Sequence, residues 1–163
     1  MKRLRGNDSG KGLKIGIVVS RFNPMVTERL YEGALKGLAD CGVAGRSITA
    51  VEVPGAFELG PAALRLAEAE KPDGIVCLGA VIRGKTEHFT YVCKAAQEGV
   101  TAVSLQTGLP VTFGVLTTEN TAQAMERAGG AKGNKGYDAA VEAVELANTY
   151  RLLETKANRL TKR

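Results

Sequence analysis

The sequence has a single histidine, His88, and it falls in an unusual stretch, residues 79–89. Within it Gly79, Gly84, Lys85 and Thr86 satisfy the pattern G-x-x-x-x-G-K-[ST], in which a glycine-rich turn cradles nucleotide phosphates. A second chemistry fits the same residues. Gly84-Lys85-Thr86 would open a helix whose first N–H groups and dipole favour an anion, with Lys85 adding charge. His88 would then sit in the first helical turn, where the dipole disfavours imidazolium and leaves a neutral ring able to accept a proton near neutral pH. A plain capped helix with a surface lysine fits this local pattern as well. The nucleotide reading fits less well. Val81 and Ile82 are strand formers that continue an apolar run instead of curling around a phosphate. The pattern also follows the third strand, not the first, and no apolar strand ends in an aspartate placed to hold magnesium.

Other residues could complete a small-molecule site. Phe22, Phe57 and Phe113 are three of only four phenylalanines, and all lie near strand edges, where a planar ligand could stack. Core packing explains Phe113 equally well. Glu58 could accept hydrogen bonds from hydroxyls, or could be an exposed carboxylate at a helix start. Arg127, late in a helix, could clamp a phosphate or be solvated. Cys41, Cys77 and Cys93 form no C-x-x-C pair, and with one histidine they do not support a zinc site. They read as buried thiols of a reducing compartment.

The elements that must position these residues follow from periodicity and breakers. Residues 13–20 are β-branched and almost wholly apolar, as in a strand buried on both faces of a parallel sheet. Asn23 suits a helix N-cap and Pro24 the first helical position. Val26, Leu30, Ala34, Leu38 and Cys41 then mark one face of a helix that Gly42 ends. A second strand spans 47–53, closed by Pro54-Gly55, and a helix spans 57–70 with Pro61 in its first turn. After a turn at residues 71–74 the third strand runs 75–82, and Thr86 caps the third helix. Phe89, Val92, Cys93, Ala96, Val100 and Val103 keep helical spacing through Gly99. Residues 101–105 have strand propensity, yet the spacing predicts one long helix ending at Gly108-Leu109-Pro110. A fourth strand at 111–117, a short helix at 120–128 stopped by Gly129-Gly130, a loop at 131–135 and a last helix to about Leu153 complete the chain.

Strands alternating with helices predict βαβ crossovers and a four-stranded parallel sheet with helices on both faces, a flavodoxin-like three-layer α/β sandwich. In such sheets ligands gather at the carboxyl ends of the strands, here near Phe22, residues 55–58, residues 83–88 and the region after Phe113. The 163 residues suffice for one domain, and their 44% hydrophobic and 24% charged content argues against long disorder. No run approaches the roughly 18 apolar residues of a membrane span, and the basic N-terminus lacks the apolar segment of a secretory signal. A cytoplasmic location is expected. The net charge of +5 concentrates at the ends, with Lys2, Arg3, Arg5 and Lys11 in residues 1–12 and Lys156, Arg159, Lys162 and Arg163 in residues 155–163. Few aromatics and no recognition motif accompany these charges, so they read as solvated or frayed tails and not as a nucleic-acid site.

Six stretches taken together resemble the lumazine synthase family, which carries out the penultimate step of riboflavin biosynthesis. They are residues 20–23 (Ser-Arg-Phe-Asn), 53–58 (Val-Pro-Gly-Ala-Phe-Glu), 79–92, 110–120, 126–129 and 133–136. The resemblance implies condensation of 5-amino-6-(D-ribitylamino)uracil with 3,4-dihydroxy-2-butanone 4-phosphate to give 6,7-dimethyl-8-ribityllumazine, phosphate and water. It implies that Phe22 stacks on the pyrimidine, that Phe57 and Glu58 line the ribityl chain, and that Ala56 also binds substrate. Val81 and Ile82 would offer backbone groups to the uracil, and Ala80 would bind substrate beside them. Lys85 and Thr86 would hold the phosphate with Arg127, His88 would shuttle protons, and Phe113 would complete the aromatic pocket. In the family Phe113 and Arg127 reach a neighbouring subunit's site. No cofactor or metal is implied, and association with riboflavin synthase is a further expectation. Two departures stand out. Ala80 replaces a residue often polar in the family, and Ala131 and Lys132 are exchanged relative to the common pattern. The loop they occupy is linked to assembly, and its length here, without an insertion, implies pentamers built into a 60-subunit shell. Ala140, Ala143 and Ala147 on the last helix fit subunit contact or ordinary packing on the sheet equally. Two alternatives to this reading are a small NTPase using residues 79–86 and a shell-forming paralogue without catalysis.

Overall fold

A computed structural model of the chain describes residues 1–160, with side chains through residue 154. Residues 161–163 and the side chains of 155–160, and with them the C-terminal basic cluster, lie outside this description.

Four parallel strands form the sheet, β1 (Ile15–Ser20), β2 (Ile48–Val53), β3 (Gly74–Ile82) and β4 (Val111–Thr118), in the order β2-β1-β3-β4. This is the flavodoxin-like order, with a switch point between β1 and β3 where successive crossovers leave in opposite directions. Every residue of β1 is buried, as its unbroken apolar run requires of a central strand. β2 and β4 are the sheet's edges.

Helices α1 (Pro24–Asp40) and α5 (Lys135–Leu160) cover one face of the sheet, and α2 (Leu59–Glu70) and α3 (His88–Thr107) cover the other. Alternate residues of β1 and β3 feed the two cores. Ile15, Ile17, Val76 and Leu78 pack with Ala140, Ala143 and Val144 of α5, while Val18, Ile75, Cys77 and Val81 pack with Leu59, Ala63 and Val100. The alanines of α5 at 140, 143 and 147 are therefore sheet-covering core. A short helix α4 (Thr121–Arg127), capped by Asn120 accepting the Gln123 N–H at 2.9 Å, closes the end of β4.

α3 is one continuous helix through Gly99 and residues 101–105, as its spacing predicts. Gly99 is there for contact: α2 and α3 cross where Gly60 meets Gly99, and a Cβ on Gly60 would stand 2.7 Å from the Gly99 Cα. Gly60→Ala must therefore push α3 away from α2. The expected cost is about 1–3 kcal/mol of stability. A thermal melt of that variant tests it, since an unchanged Tm would mean the two helices separate freely.

Several local expectations need correction. Asn23 lies in the left-handed region at φ 60°, ψ 56° and makes no side-chain cap to α1. Thr86 does not cap α3, which begins two residues later with Glu87 as its N-cap. Residues 131–135 are not a plain loop: β5 (Ala128–Gly130) and β6 (Gly133–Asn134) form a small antiparallel hairpin, turned at Gly133 with φ 76°. Asn134 ends it by accepting the Gly136 and Tyr137 N–H groups at the start of α5. The last helix continues to Leu160 instead of ending near Leu153.

The N-terminal segment is not a frayed tail from Arg5 onward. Arg5 makes a two-pronged pair with Glu145 at 2.9 and 3.0 Å, and Gly6 donates its N–H to Thr149. Asn148 donates to the carbonyl oxygens of Asn7 and Ser9, and Gly10 donates to Cys41. Of the cysteines only Cys77 is fully buried, and that burial pushes its thiol up to about 12; Cys41 and Cys93 are half-buried.

Candidate functional site

A cleft of about 500 Å³ opens at the carboxyl ends of β1, β2 and β3, at the switch point of the sheet. Its walls come from three segments that are far apart in sequence. Phe22 follows β1. The turn Pro54-Gly55-Ala56-Phe57-Glu58 follows β2. Ala80, Val81 and Ile82 end β3, and Gly84, Thr86 and His88 lead into α3. Phe22 and Phe57 are 69% and 58% exposed, large apolar rings left in solvent at the rim. Two such rings beside a concave surface suit a flat aromatic ligand.

The turn after β2 is a single 3₁₀ turn, Ala56–Glu58, that runs directly into α2. One Glu58 carboxylate oxygen accepts the Gly55 N–H at 2.9 Å, which locks the turn. A carboxylate has about four lone-pair directions, so Glu58 retains acceptors for ligand hydroxyls.

The end of β3 has an open side. In a strand the backbone groups of successive residues point to alternate neighbours. Arg83 donates its N–H to Thr118 of β4 at 2.9 Å, so Val81, two residues earlier, also faces β4. Ala80 and Ile82 face the other way, toward β1. Pairing with β1 ends at Leu78. The Ala80 carbonyl accepts from the Asn23 side chain at 2.8 Å, which leaves Ile82 with its N–H and C=O turned toward the cleft. That adjacent donor and acceptor match the N–H/C=O edge of a cyclic amide or imide. Val81, buried and paired to β4, contributes its side chain to the cleft floor and not its backbone groups.

Opposite lies the start of α3. Thr90 is the first residue whose N–H is taken in the helix, by the Glu87 carbonyl at 3.0 Å. The N–H groups of His88 and Phe89 precede it and have no helical acceptor, as at any helix start. With the Thr86 hydroxyl they form a place for an anion beside the exposed imidazole of His88. Lys85 is exposed one residue outside the cleft wall. Arg83 is directed elsewhere: it pairs with Glu119 at 2.8 Å and stacks 4.2 Å from the Phe89 ring centre, bracing a cleft-lining ring from behind.

The structure therefore brings together Phe22, Ala56, Phe57, Glu58, Ala80, Val81, Ile82, Thr86 and His88. It does not bring Phe113 or Arg127 into that cleft. Phe113 stands 41% exposed on the edge strand β4. Arg127, at the end of α4, donates to the Gln123 carbonyl at 3.0 Å and lies 3.6 Å from Glu126. Phe89 and Val92 line the cleft as well and were hidden in the sequence by their helical spacing, which reads as core. Among the described residues, no group of three or more His, Cys, Asp or Glu is arranged to hold a metal ion.

The model of one family, 6,7-dimethyl-8-ribityllumazine synthase, matches residues 12–151 of the 163. The chain belongs to the lumazine synthase family. Members of this family are transferases of riboflavin biosynthesis that act on small molecules and assemble as homo-oligomers. The matched segment holds every strand, helices α1 to α4 and all cleft residues. No helix among the described residues is long and apolar enough to cross a membrane.

Proposed function

We propose that the chain condenses 5-amino-6-(D-ribitylamino)uracil with 3,4-dihydroxy-2-butanone 4-phosphate, giving 6,7-dimethyl-8-ribityllumazine, phosphate and water. The observation that carries this reading is the convergence of three kinds of recognition in one cleft. Rings suit a pyrimidine, a carboxylate suits a polyol, and a helix start with a hydroxyl suits a phosphate, with His88 beside it.

In this reading Phe22 stacks on the pyrimidine, whose imide edge pairs with the Ile82 backbone. The ribityl chain runs along Ala56 and Phe57 to Glu58. The phosphate of the second substrate sits at Thr86 and the α3 start, with Lys85 supplying charge. The amino group of the uracil attacks the ketone, and loss of one water gives an imine. Removal of a proton from the adjacent hydroxyl-bearing carbon and departure of phosphate leave an enol, which becomes a methyl ketone. The ribitylamino nitrogen closes the ring onto that ketone and a second water leaves. All bond changes are balanced within the two substrates, so no outside oxidant or reductant enters. His88, at the phosphate end, moves the protons; holding both reactants together supplies the larger part of the rate.

Phe113 and Arg127 complete the site from a neighbouring subunit, Phe113 against the rings and Arg127 on the phosphate. The position of Phe113, exposed on β4, and of Arg127, at the end of α4, outside their own chain's cleft supports this arrangement. The tight β5–β6 hairpin, with no insertion, supports pentamers joined into a 60-subunit shell. Light scattering should give the mass of the shell; the mass of a lone pentamer removes it.

The test of the activity is an assay of purified protein with both substrates, following lumazine absorbance and fluorescence without added metal or nucleotide. Product above the spontaneous background supports the condensation. No enhancement with verified substrates overturns it.

A further inference from the structure

We infer that Asn23 is a positioning residue, whose side-chain amide fixes the distance between the ring of Phe22 and the open end of β3. The inference rests on the condensation reading above and names what holds its pyrimidine subsite in shape.

Among the described residues, Asn23 and Lys71 are the only non-glycine positions with positive φ. Lys71 follows the last turn of α2, where a left-handed residue is an ordinary helix stop. Asn23 stands at the opposite kind of boundary. A residue opening a helix normally has extended backbone and caps with its side chain. Asn23 does neither. The start of α1 is served by its main chain, since its carbonyl accepts the Val26 and Thr27 N–H groups at 2.9 and 3.1 Å. Its side chain is thereby released for a partner 57 residues away, the Ala80 carbonyl at 2.8 Å.

Both features act on the cleft. Phe22 is held on its other side by donating its N–H to Pro54 at 3.1 Å, and the left-handed turn directly after it breaks the extended line of β1. The ring is thus left standing in solvent at the rim. The hydrogen bond donated by this side chain engages the Ala80 carbonyl, which lies beyond the last β1 partner, two residues before Ile82. One side chain therefore links the stacking ring to the strand end that reads the imide edge. A pyrimidine must satisfy both at once, whereas the phosphate end of the cleft rests on α3 and has no bond to Asn23. Loosening this link should affect one substrate and spare the other. Left-handed strain kept at a residue that a common extended cap could replace is the kind of outlier that points to a functional constraint.

Two variants separate the parts. Asn23→Asp keeps the size and the tolerance for left-handed backbone but turns an acceptor toward the Ala80 carbonyl. Asn23→Gly keeps the turn and deletes the link. Each is expected to raise KM for the ribitylaminouracil by about tenfold, the scale of one hydrogen bond, with KM for the butanone phosphate unchanged. In protein labelled with fluorophenylalanine, the fluorine resonance of Phe22 should move in both variants while that of Phe89, held on α3 under Arg83, stays. A purely structural role would lower Tm and leave the two KM values in proportion, which overturns the assignment, as does an unmoved Phe22 resonance. If the wild type forms no product, the condensation reading fails by itself. The Phe22 resonance then still decides the link, sustaining it if displaced in both variants and overturning it if fixed.

Discussion

Replacing His88 by alanine is expected to lower kcat by about a hundred- to ten-thousandfold while leaving turnover above background. The range follows from what a positioned general acid–base group contributes when it moves protons but forms no bond to substrate. His88 opens α3 and lines the cleft beside Thr86. It contributes little to the walls that hold the pyrimidine, so KM for that substrate should change much less than kcat. On the proposed reading, the residual rate measures what alignment by Phe22, Glu58, the Ile82 backbone and the α3 start achieves alone. Steady-state kinetics with both substrates check this, and a rate equal to wild type would remove His88 from the mechanism.

Arg127→Ala is expected to raise KM for the butanone phosphate by about tenfold to a hundredfold, the worth of a charge-assisted hydrogen bond to phosphate. More telling is a mixture. Arg127 is outside the cleft of its own chain, so an Arg127→Ala subunit keeps an intact His88 and a His88→Ala subunit keeps an intact Arg127. When the two variants are unfolded together and reassembled, some sites combine a sound cleft with a sound neighbour. Activity above the average of the separately treated variants is the expected result. A mixture no better than that average would place Arg127 in the site of its own chain or in no site.

Much of the sheet was legible because burial on both faces leaves an unbroken apolar record, as in β1 and β3, and because Pro24, Gly42 and Gly108 mark ends by local chemistry. The long α3 was legible from spacing, although only the structure shows that Gly99 is present so that Gly60 can approach it. The cleft was legible where it coincides with strand ends: Phe22, Phe57, Glu58, Thr86 and His88 meet as the topology requires. What escaped depends on partners distant in sequence. Asn23 before Pro24 reads as a helix cap, and nothing local reveals that its amide is used by Ala80. Arg5 and Gly6 read as a charged tail until Glu145 and Thr149 are placed beside them. Val81 and Ile82 read alike as strand formers, and only the direction of pairing separates the one bound to β4 from the one facing the cleft. Thr86 reads as a cap because it is the good capping residue available, yet the helix begins after Glu87.

The two outer strands carry a consequence for handling the protein. β2 and β4 end the sheet, and β4 also presents Phe113 to solvent. An outer strand exposes a row of unused main-chain donors and acceptors that any other extended chain can join. A subunit released from its oligomer would therefore be adhesive. Conditions chosen to dissociate it, such as dilution or mild denaturant, should produce precipitate before they produce a stable monomer, and colloidal stability in storage should track the integrity of the assembly.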